Sequence, residues 1–115
     1  SLVIKVIIPA FNEENGIGEV IREIPKNLIS EIIVVNNDST DNTEQIAIGA
    51  GAIVLREPVP GYGRACLKGI EYLIILTQKD SRSFASIILI SLCKTFTYSI
   101  SGPKAKATLE IKVQG

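Results

Sequence analysis

Leu2-Val-Ile-Lys-Val-Ile-Ile8, ended by Pro9, and Glu31-Ile-Ile-Val-Val35, running into Asn36-Asn-Asp-Ser-Thr-Asp-Asn-Thr43, are the stretches on which the fold turns. Each is a short, near-continuous β-branched run closed by turn formers, the pattern of a strand covered on both faces, as in a parallel sheet. Between them Ile17, Val20, Ile21 and Ile24 fall at i, i+3, i+4 and i+7, which puts one apolar stripe on a helix that Pro25 terminates. Asp41, with Glu44 three residues on, predicts a capping pair for a second helix that Gly49 and Gly51 close. Ala52-Ile-Val-Leu55 predicts a third strand, and Gly61-Tyr-Gly63 leads into a third helix with Cys66, Ile70, Leu73 and Ile74 on one side. The order β-α-β-α-β-α, with right-handed crossovers, predicts an α/β fold: a mostly parallel sheet with helices on both faces.

Composition narrows the chemistry. The 115 residues, 46% hydrophobic and 21% charged, suit one globular domain. Twelve Lys and Arg against twelve Asp and Glu give a net charge of 0, so no basic excess exists to hold nucleic acid by counterion release, and no nucleic-acid partner is expected. The absence of histidine removes Ser/His, Cys/His and His-metal chemistry and leaves carboxylates, Lys, Arg, Tyr, amides and the backbone. Cys66 and Cys93 sit in apolar runs without a C-x-x-C spacing, which predicts buried, reduced thiols in a cytoplasmic protein. Lys5 in the middle of the first apolar run argues against a signal peptide. The run Phe84 to Cys93 is far short of the roughly 20 residues that span a bilayer, so no membrane crossing is expected.

In such sheets ligands bind at the carboxyl ends of the strands. The residues there are Pro9 to Asn15, Asn36 to Asp41, and Arg56-Glu57 followed by Gly61 to Arg64. Taken singly, Asn15, Ser39, Thr40 and Asp41 serve equally as helix caps, Pro9 as a strand stop and Arg64 as a solvated helix residue. Gly61-x-Gly63 lacks the third glycine of a dinucleotide fingerprint, Cys66 standing in its place, and no G-x-x-x-x-G-K is present. Together, however, the loops bring a carboxylate and amides to where a base or ribose would lie, with Gly63 and Arg64 at a helix N-terminus that can approach a phosphate.

Val6-Ile-Ile-Pro-Ala-Phe-Asn-Glu-Glu14, Glu31 to Thr43 and Gly61-Tyr-Gly-Arg-Ala-Cys-Leu-Lys-Gly-Ile70 resemble, in order and spacing, the opening motifs of family 2 inverting glycosyltransferases with a GT-A fold, above all the dolichyl or polyprenyl phosphate mannosyl- and glucosyltransferases. The resemblance implies transfer of a sugar from a nucleoside diphosphate sugar to an acceptor such as a polyprenyl or dolichyl phosphate. It implies that Pro9, Phe11 and Glu13 line the base and ribose, that the turn Asn36, Asn37, Asp38 hydrogen-bonds the base, and that Gly63 and Arg64 lie by the diphosphate. The family usually has an aspartate pair where this chain has Asn36-Asn37, so amides would supply those contacts.

A divalent cation, Mg or Mn, is likewise implied by the family, which carries an Asp-x-Asp after its fourth strand. No such pair follows Leu73, where Asp80 is alone, so no metal ligand is assigned in this sequence, and no catalytic residue either. Arg82 to Cys93, Ser101-Gly-Pro-Lys-Ala105 and Leu109 to Gln114 resemble segments that stand much later in these transferases: a hydrophobic helix near the acceptor, a Gly-Pro turn and a Glu-bearing segment. One GT-A domain over residues 1–115 is therefore expected, with a nucleotide-binding half over 1–73 and acceptor-side segments over 79–115. Further residues are expected to intervene within 72–83 and within 104–108. The alternatives are a non-catalytic nucleotide-sugar-binding remnant that has lost the metal loop, and a structural α/β domain without a ligand.

Phe84, Ile87, Ile88, Leu89, Ile90, Leu92 and Phe96 would surround most of a helix, with Lys79, Arg82 and Lys94 flanking it. An interfacial helix meeting anionic lipid is one expectation, giving a cytoplasmic protein peripheral on the membrane. A buried helix or a buried strand is the other.

Overall fold

The computed structural model describes residues 2–79, 84–90, 92, 95–101 and 106–111. The elements alternate as the apolar pattern predicts: β1 (Leu2–Ala10), α1 (Ile17–Glu23), β2 (Glu31–Asn36), α2 (Thr43–Gly49), β3 (Ile53–Arg56) and α3 (Tyr62–Lys79), followed by β4 (Phe84–Ile90), β5 (Thr95–Ser101) and β6 (Lys106–Ile111). The six strands form one sheet in the order β3-β2-β1-β4-β5-β6. β1 pairs in parallel with β2 (Ile7 opposite Ile33) and with β4 (Ile7 opposite Leu89), and β2 pairs in parallel with β3. β4–β5 and β5–β6 are antiparallel.

Alternation along β1 and β2 divides the core between the two faces of the sheet. Val6, Ile8, Ile32 and Val34 face Ile17, Ile21 and Ile24 of the first helical segment and Ala47 of α2. Ile7, Ile33 and Val35 face Ala65 and Leu73 of α3. The apolar stripe of α3 is Ala65, Cys66, Ile70, Leu73 and Leu76, whereas Ile74, expected on it, is 39% exposed. The helix lies against β1 closely enough that a Cβ on Gly69 would come within 2.7 Å of Ile7 Cγ2. That approach is why a glycine stands in mid-helix despite its entropic cost.

Helix ends follow local chemistry, with one correction. The Lys26 ammonium donates to the main-chain oxygens of Ile21 and Ile24, covering the carboxyl end of α1 ahead of which Pro25 stops it. α2 closes with Gly51 N–H on Ile48 O and Ala52 N–H on Ala47 O. At its start the N-cap is Asn42 rather than the expected Asp41, which stands one residue earlier and accepts from Thr43 N–H at 3.0 Å, and Glu44 does not return to complete the expected box. Its carboxylate is drawn instead to the Arg56 guanidinium at the end of β3.

The segment after residue 83 differs most from the helical expectation. Residues 84–90 form a strand beside β1, with Ile87 and Leu89 buried against the α3 side and Ile88 and Ile90 packed on the α1–α2 side. Apolar residues on all sides therefore reflect a strand covered on both faces, and the interfacial helix is replaced by the buried-strand alternative. Leu109 to Ile111, expected in a Glu-bearing segment, lies on β6, which pairs with β5. α3 carries through Tyr72 to Lys79. Other positions where residues are expected to intervene (80–83, 104–105), the Gly-Pro turn and Cys93 lie outside the described residues. Cys66 is free and half-buried rather than fully buried, and burial pushes its thiol pKa up.

Candidate functional site

β1 and β2 end side by side, and the loops that follow them are laced together by side chains. Asn37 N–H donates to Ala10 O at 2.9 Å, continuing the strand pairing by one bond. Beyond it, Asn12 N–H donates to Ser39 Oγ at 3.0 Å while Asn12 Oδ1 accepts from Thr40 N–H at 2.8 Å. Glu13 N–H donates to the hydroxyl of Thr43 at 2.8 Å, Glu14 N–H to Asp41 Oδ2 at 3.2 Å, and Asn42 N–H to the Glu14 carboxylate at 3.1 Å. Asn12 and Asp38 both have left-handed backbones, φ 49° and 61°, which Asn and Asp tolerate better than other side-chain-bearing residues. These bonds occupy the main chain of the two loops and fix the directions in which Phe11 and Glu13 project.

Thr43 is fully buried, and its hydroxyl also donates to Asp41 Oδ1. Desolvation pushes the Asp41 carboxyl up, but hydrogen bonds from the Thr43 hydroxyl and from the main chain of Thr43 and Glu14 outweigh it and hold the carboxyl below its ordinary range. The Arg56 guanidinium bonds both oxygens of Glu44, at 2.8 and 2.7 Å, and holds that carboxyl low against some desolvation, with Asn36 adding a weaker bond. This pair is solvent-facing on the arginine side and contributes little to stability.

A cleft of about 330 Å³ opens at these strand ends. Pro9, Ala10, Phe11 and Glu13 come to it from the end of β1, Asn37 from the end of β2, Pro60, Gly61, Tyr62 and Ala65 from the approach and first turn of α3, and Leu92 from beyond β4. It lies where the chain order of the sheet reverses, between β1 and β4, the position at which open α/β sheets take ligands. Phe11 and Tyr62, 58% and 46% exposed, bring aromatic surface to the cleft beside the Glu13 carboxylate.

Four of the residues singled out from the sequence therefore meet in one cleft: Pro9, Phe11, Glu13 and Asn37. Asn36 and Asp38 do not join them. They line a separate, polar hollow with Ser39, Glu44, Arg56 and Glu57. The reason is the two-residue period of β2, which sends adjacent side chains to opposite faces. Asn36 accepts from Ser39 N–H at 3.0 Å on the α2 side, and Asn37 turns toward residues 57–61. Gly63 and Arg64 stand exposed in the first turn of α3, next to the cleft rather than in its lining. The sequence reading placed Tyr62 among the strand-end residues without giving it a role, missed Leu92 as a lining residue, and saw Ser39, Thr40 and Asp41, taken singly, as helix caps rather than as ties between the two loops. The density of short polar side chains over 36–43 was the available signal of a second loop to clamp.

Among the described residues no three Asp, Glu or Cys side chains converge as a metal site would require, so these residues do not fit a divalent-cation centre. No helix among them is long and apolar enough to cross a membrane.

Residues 5–73 match the sequence pattern of Glycosyl transferase family 2. The chain is 33% identical over 111 residues to glucosyl-3-phosphoglycerate synthase of Mycolicibacterium smegmatis, covering 87% of this chain and 35% of that protein. It is 44% identical over 64 residues to the protein RfbJ of Shigella flexneri, covering 55% of this chain and 50% of the relative. Against an uncharacterized glycosyltransferase of Mycobacterium bovis it is 40% identical over 67 residues, which is 58% of this chain and 30% of that one. It thus spans from under a third to half the length of these relatives. Among solved structures, glucosyl-3-phosphoglycerate synthase of Mycobacterium tuberculosis in complex with Mn2+, UDP-glucose and phosphoglyceric acid superposes with a TM-score of 0.63 at 33% identity, covering 77% of this chain and 32% of that chain. All the residues that line the strand-end cleft except Leu92 thus sit within the stretch that carries the match, and the α/β architecture is that of the GT-A enzymes: the chain belongs to glycosyl transferase family 2.

Proposed function

We propose that the cleft at the ends of β1 and β2 takes the nucleoside of a nucleoside diphosphate sugar, and that the chain forms the donor-binding part of an inverting glycosyltransferase. The observation that carries this reading is the convergence of Pro9, Phe11, Glu13 and Asn37 with Gly61 and Tyr62 on one partly apolar hollow. The partly exposed rings of Phe11 and Tyr62 offer aromatic surface on which a base can stack, and the Glu13 carboxylate is suited to accept from ribose hydroxyls. The amino end of the 18-residue α3, with Gly63 and the Arg64 guanidinium in its first turn, provides positive potential for the diphosphate beside it. In the reaction an acceptor oxygen that is already anionic, such as a phosphate oxygen, attacks the anomeric carbon from the face opposite the diphosphate, forming the new C–O bond as the bond to the diphosphate breaks and the nucleoside diphosphate leaves with the electron pair, with inversion. Arg64 and the helix end oppose the charge that grows on the leaving group.

The relative solved with Mn2+ and UDP-glucose makes a divalent cation part of this reading, its role being to neutralise the diphosphate. The described residues offer it no ligand set, so no step is assigned to it here. The acceptor is read as a phosphate-bearing molecule. A polyprenyl phosphate, as the sequence motifs suggest, and a phosphoglycerate, which accompanies the solved relative, share that chemistry. Residues 84–90 are a strand, with Ile87 and Leu89 buried, and not the apolar helix on which the lipid-surface expectation rested. Free, half-buried Cys66 is in keeping with the cytoplasm. A second reading, a nucleotide-sugar-binding module without catalysis, is favoured by the lack of a carboxylate cluster among the described residues.

Calorimetric titration of the protein with UDP tests the proposal. Glu13→Ala is expected to weaken binding by about tenfold, the worth of one charge-assisted hydrogen bond. Glu14→Ala, whose carboxylate is turned to Asn42 N–H, should change it much less. Equal affinity of wild type and Glu13→Ala would remove Glu13 from the site. UDP binding without transfer from UDP-glucose to either acceptor would favour the binding module.

A further inference from the structure

Residues 57–61 lead into the cleft, which Pro60 and Gly61 line, and they hold few hydrogen bonds of their own. Pro58 and Pro60 have no N–H to donate. The three remaining N–H groups go to Asn36 O (from Glu57, 2.9 Å), to the Glu57 carboxylate (from Val59, 3.1 Å) and to Asn37 Oδ1 (from Gly61, 3.0 Å). Asn37 also donates through Nδ2 to the main-chain oxygens of Glu57 and Val59, both at 2.8 Å. One buried carboxamide thus makes three bonds to a five-residue segment, while its own N–H is tied to Ala10 at the end of β1. Gly61, with φ +137°, needs a conformation that side-chain-bearing residues rarely adopt, and its oxygen accepts from Ala65 N–H as α3 begins.

We propose that Asn37 is a positioning residue: it straps the 57–61 segment to the ends of β1 and β2, and so sets the place of Tyr62 and the start of α3, rather than reading the nucleobase. Both N–H donors and one lone pair of its oxygen are spent inside the chain, and only an amide can supply donors and acceptor together at this spot. An aspartate of the same size would keep the acceptor for Gly61 but set anionic oxygen against the carbonyls of Glu57 and Val59. The strap stands on this geometry alone, and its consequence for binding rests on the nucleotide reading of the cleft.

The test combines amide hydrogen exchange with titration of UDP, ADP and GDP on the whole chain. In Asn37→Ala the Gly61 amide should exchange about tenfold faster, the effect of losing one partly buried hydrogen bond, while the Ile33 amide in the central strand keeps its wild-type rate. Affinity for whichever of the three nucleotides the wild type binds should fall by about tenfold and by a common factor, because a displaced wall is blind to the base. Asn37→Asp should act in the same direction, and it serves as the readout if Asn37→Ala does not fold. An unchanged Gly61 rate would overturn the strap. A loss confined to one base would overturn it in favour of direct base contact. If the wild type binds none of the three nucleotides, the nucleotide reading falls and the Gly61 rate alone decides the strap.

Discussion

The two ends of the parallel sheet are held in different ways. At the amino ends of β1 and β2 the ties are few and simple: Ser30 donates through both N–H and hydroxyl to Ile4 O, at 2.9 and 3.0 Å, and Lys5 meets Glu31 at 3.4 Å. At the carboxyl ends, Asn12, Glu14, Asn37, Ser39, Asp41 and Thr43 all bond across gaps of 24 to 30 residues in sequence, so each loop is shaped by another. Both ends are attached to the same apolar core. The lesson is that strand pairing suffices to close a sheet edge, whereas a cleft whose walls come from three loops needs side chains that bond from one loop to the next.

That contrast can be broken or sharpened by substitution. The largest effect is expected in the core that both ends share: Gly69→Ala pushes a methyl against the fully buried Ile7 and should cost about 2 to 3 kcal/mol in urea unfolding. A wild-type midpoint would mean that α3 can move off the sheet freely, and that the loops do not depend on its seat. Thr43→Val comes next. It preserves shape but leaves Glu13 N–H and Asp41 without their shared hydroxyl, at an expected cost of about 2 kcal/mol.

Asp41→Asn should have a smaller effect, one that depends on pH. Because hydrogen bonds hold the Asp41 carboxyl below its unfolded-state value, its stabilisation is fully present above that value and is lost as the pH falls through the lower, folded one. The stability gap between wild type and Asp41→Asn should therefore be open at neutral pH and close in strong acid. A gap that widens on acidification would refute the assignment. The smallest effect belongs to the amino end: Ser30→Ala removes one exposed hydroxyl while the main-chain bond to Ile4 remains, and should cost under about 0.5 kcal/mol. If Ser30→Ala proved as costly as Thr43→Val, the difference between the two ends would disappear.

The first three strands and three helices were legible because each carries its own periodicity. Val6 and Ile8 against Ile7, or Ile17 against Ile21, declare strand and helix within a few residues. Residues 84–90 were not legible in that way. A short run apolar on every side satisfies a buried helix and a buried strand equally, and only the open edge of β1, waiting for a parallel partner, selects the strand. Glu44 shows the same limit on a smaller scale. Three residues after Asp41 it looks like a capping partner, but the Arg56 guanidinium from β3 lies within reach and wins the carboxylate.

Order along the chain, the positions of the loops and the residue types placed in them follow from local pattern, since apolar spacing and turn chemistry act over a handful of neighbours. This much located the cleft at the ends of β1 and β2, and the resemblance of the motifs there to family 2 glycosyltransferases singled out Pro9, Phe11, Glu13 and Asn37, which line it. The parting of Asn36 from Asn37, the capture of residues 57–61 by one carboxamide and the arrival of Tyr62 and Leu92 at the same hollow required the assembled sheet. Adjacent side chains leave a strand on opposite faces: Asn36 meets its near neighbours Ser39 and Glu44, while Asn37 meets a segment 20 to 24 residues away, whose approach depends on how α3 packs on the core.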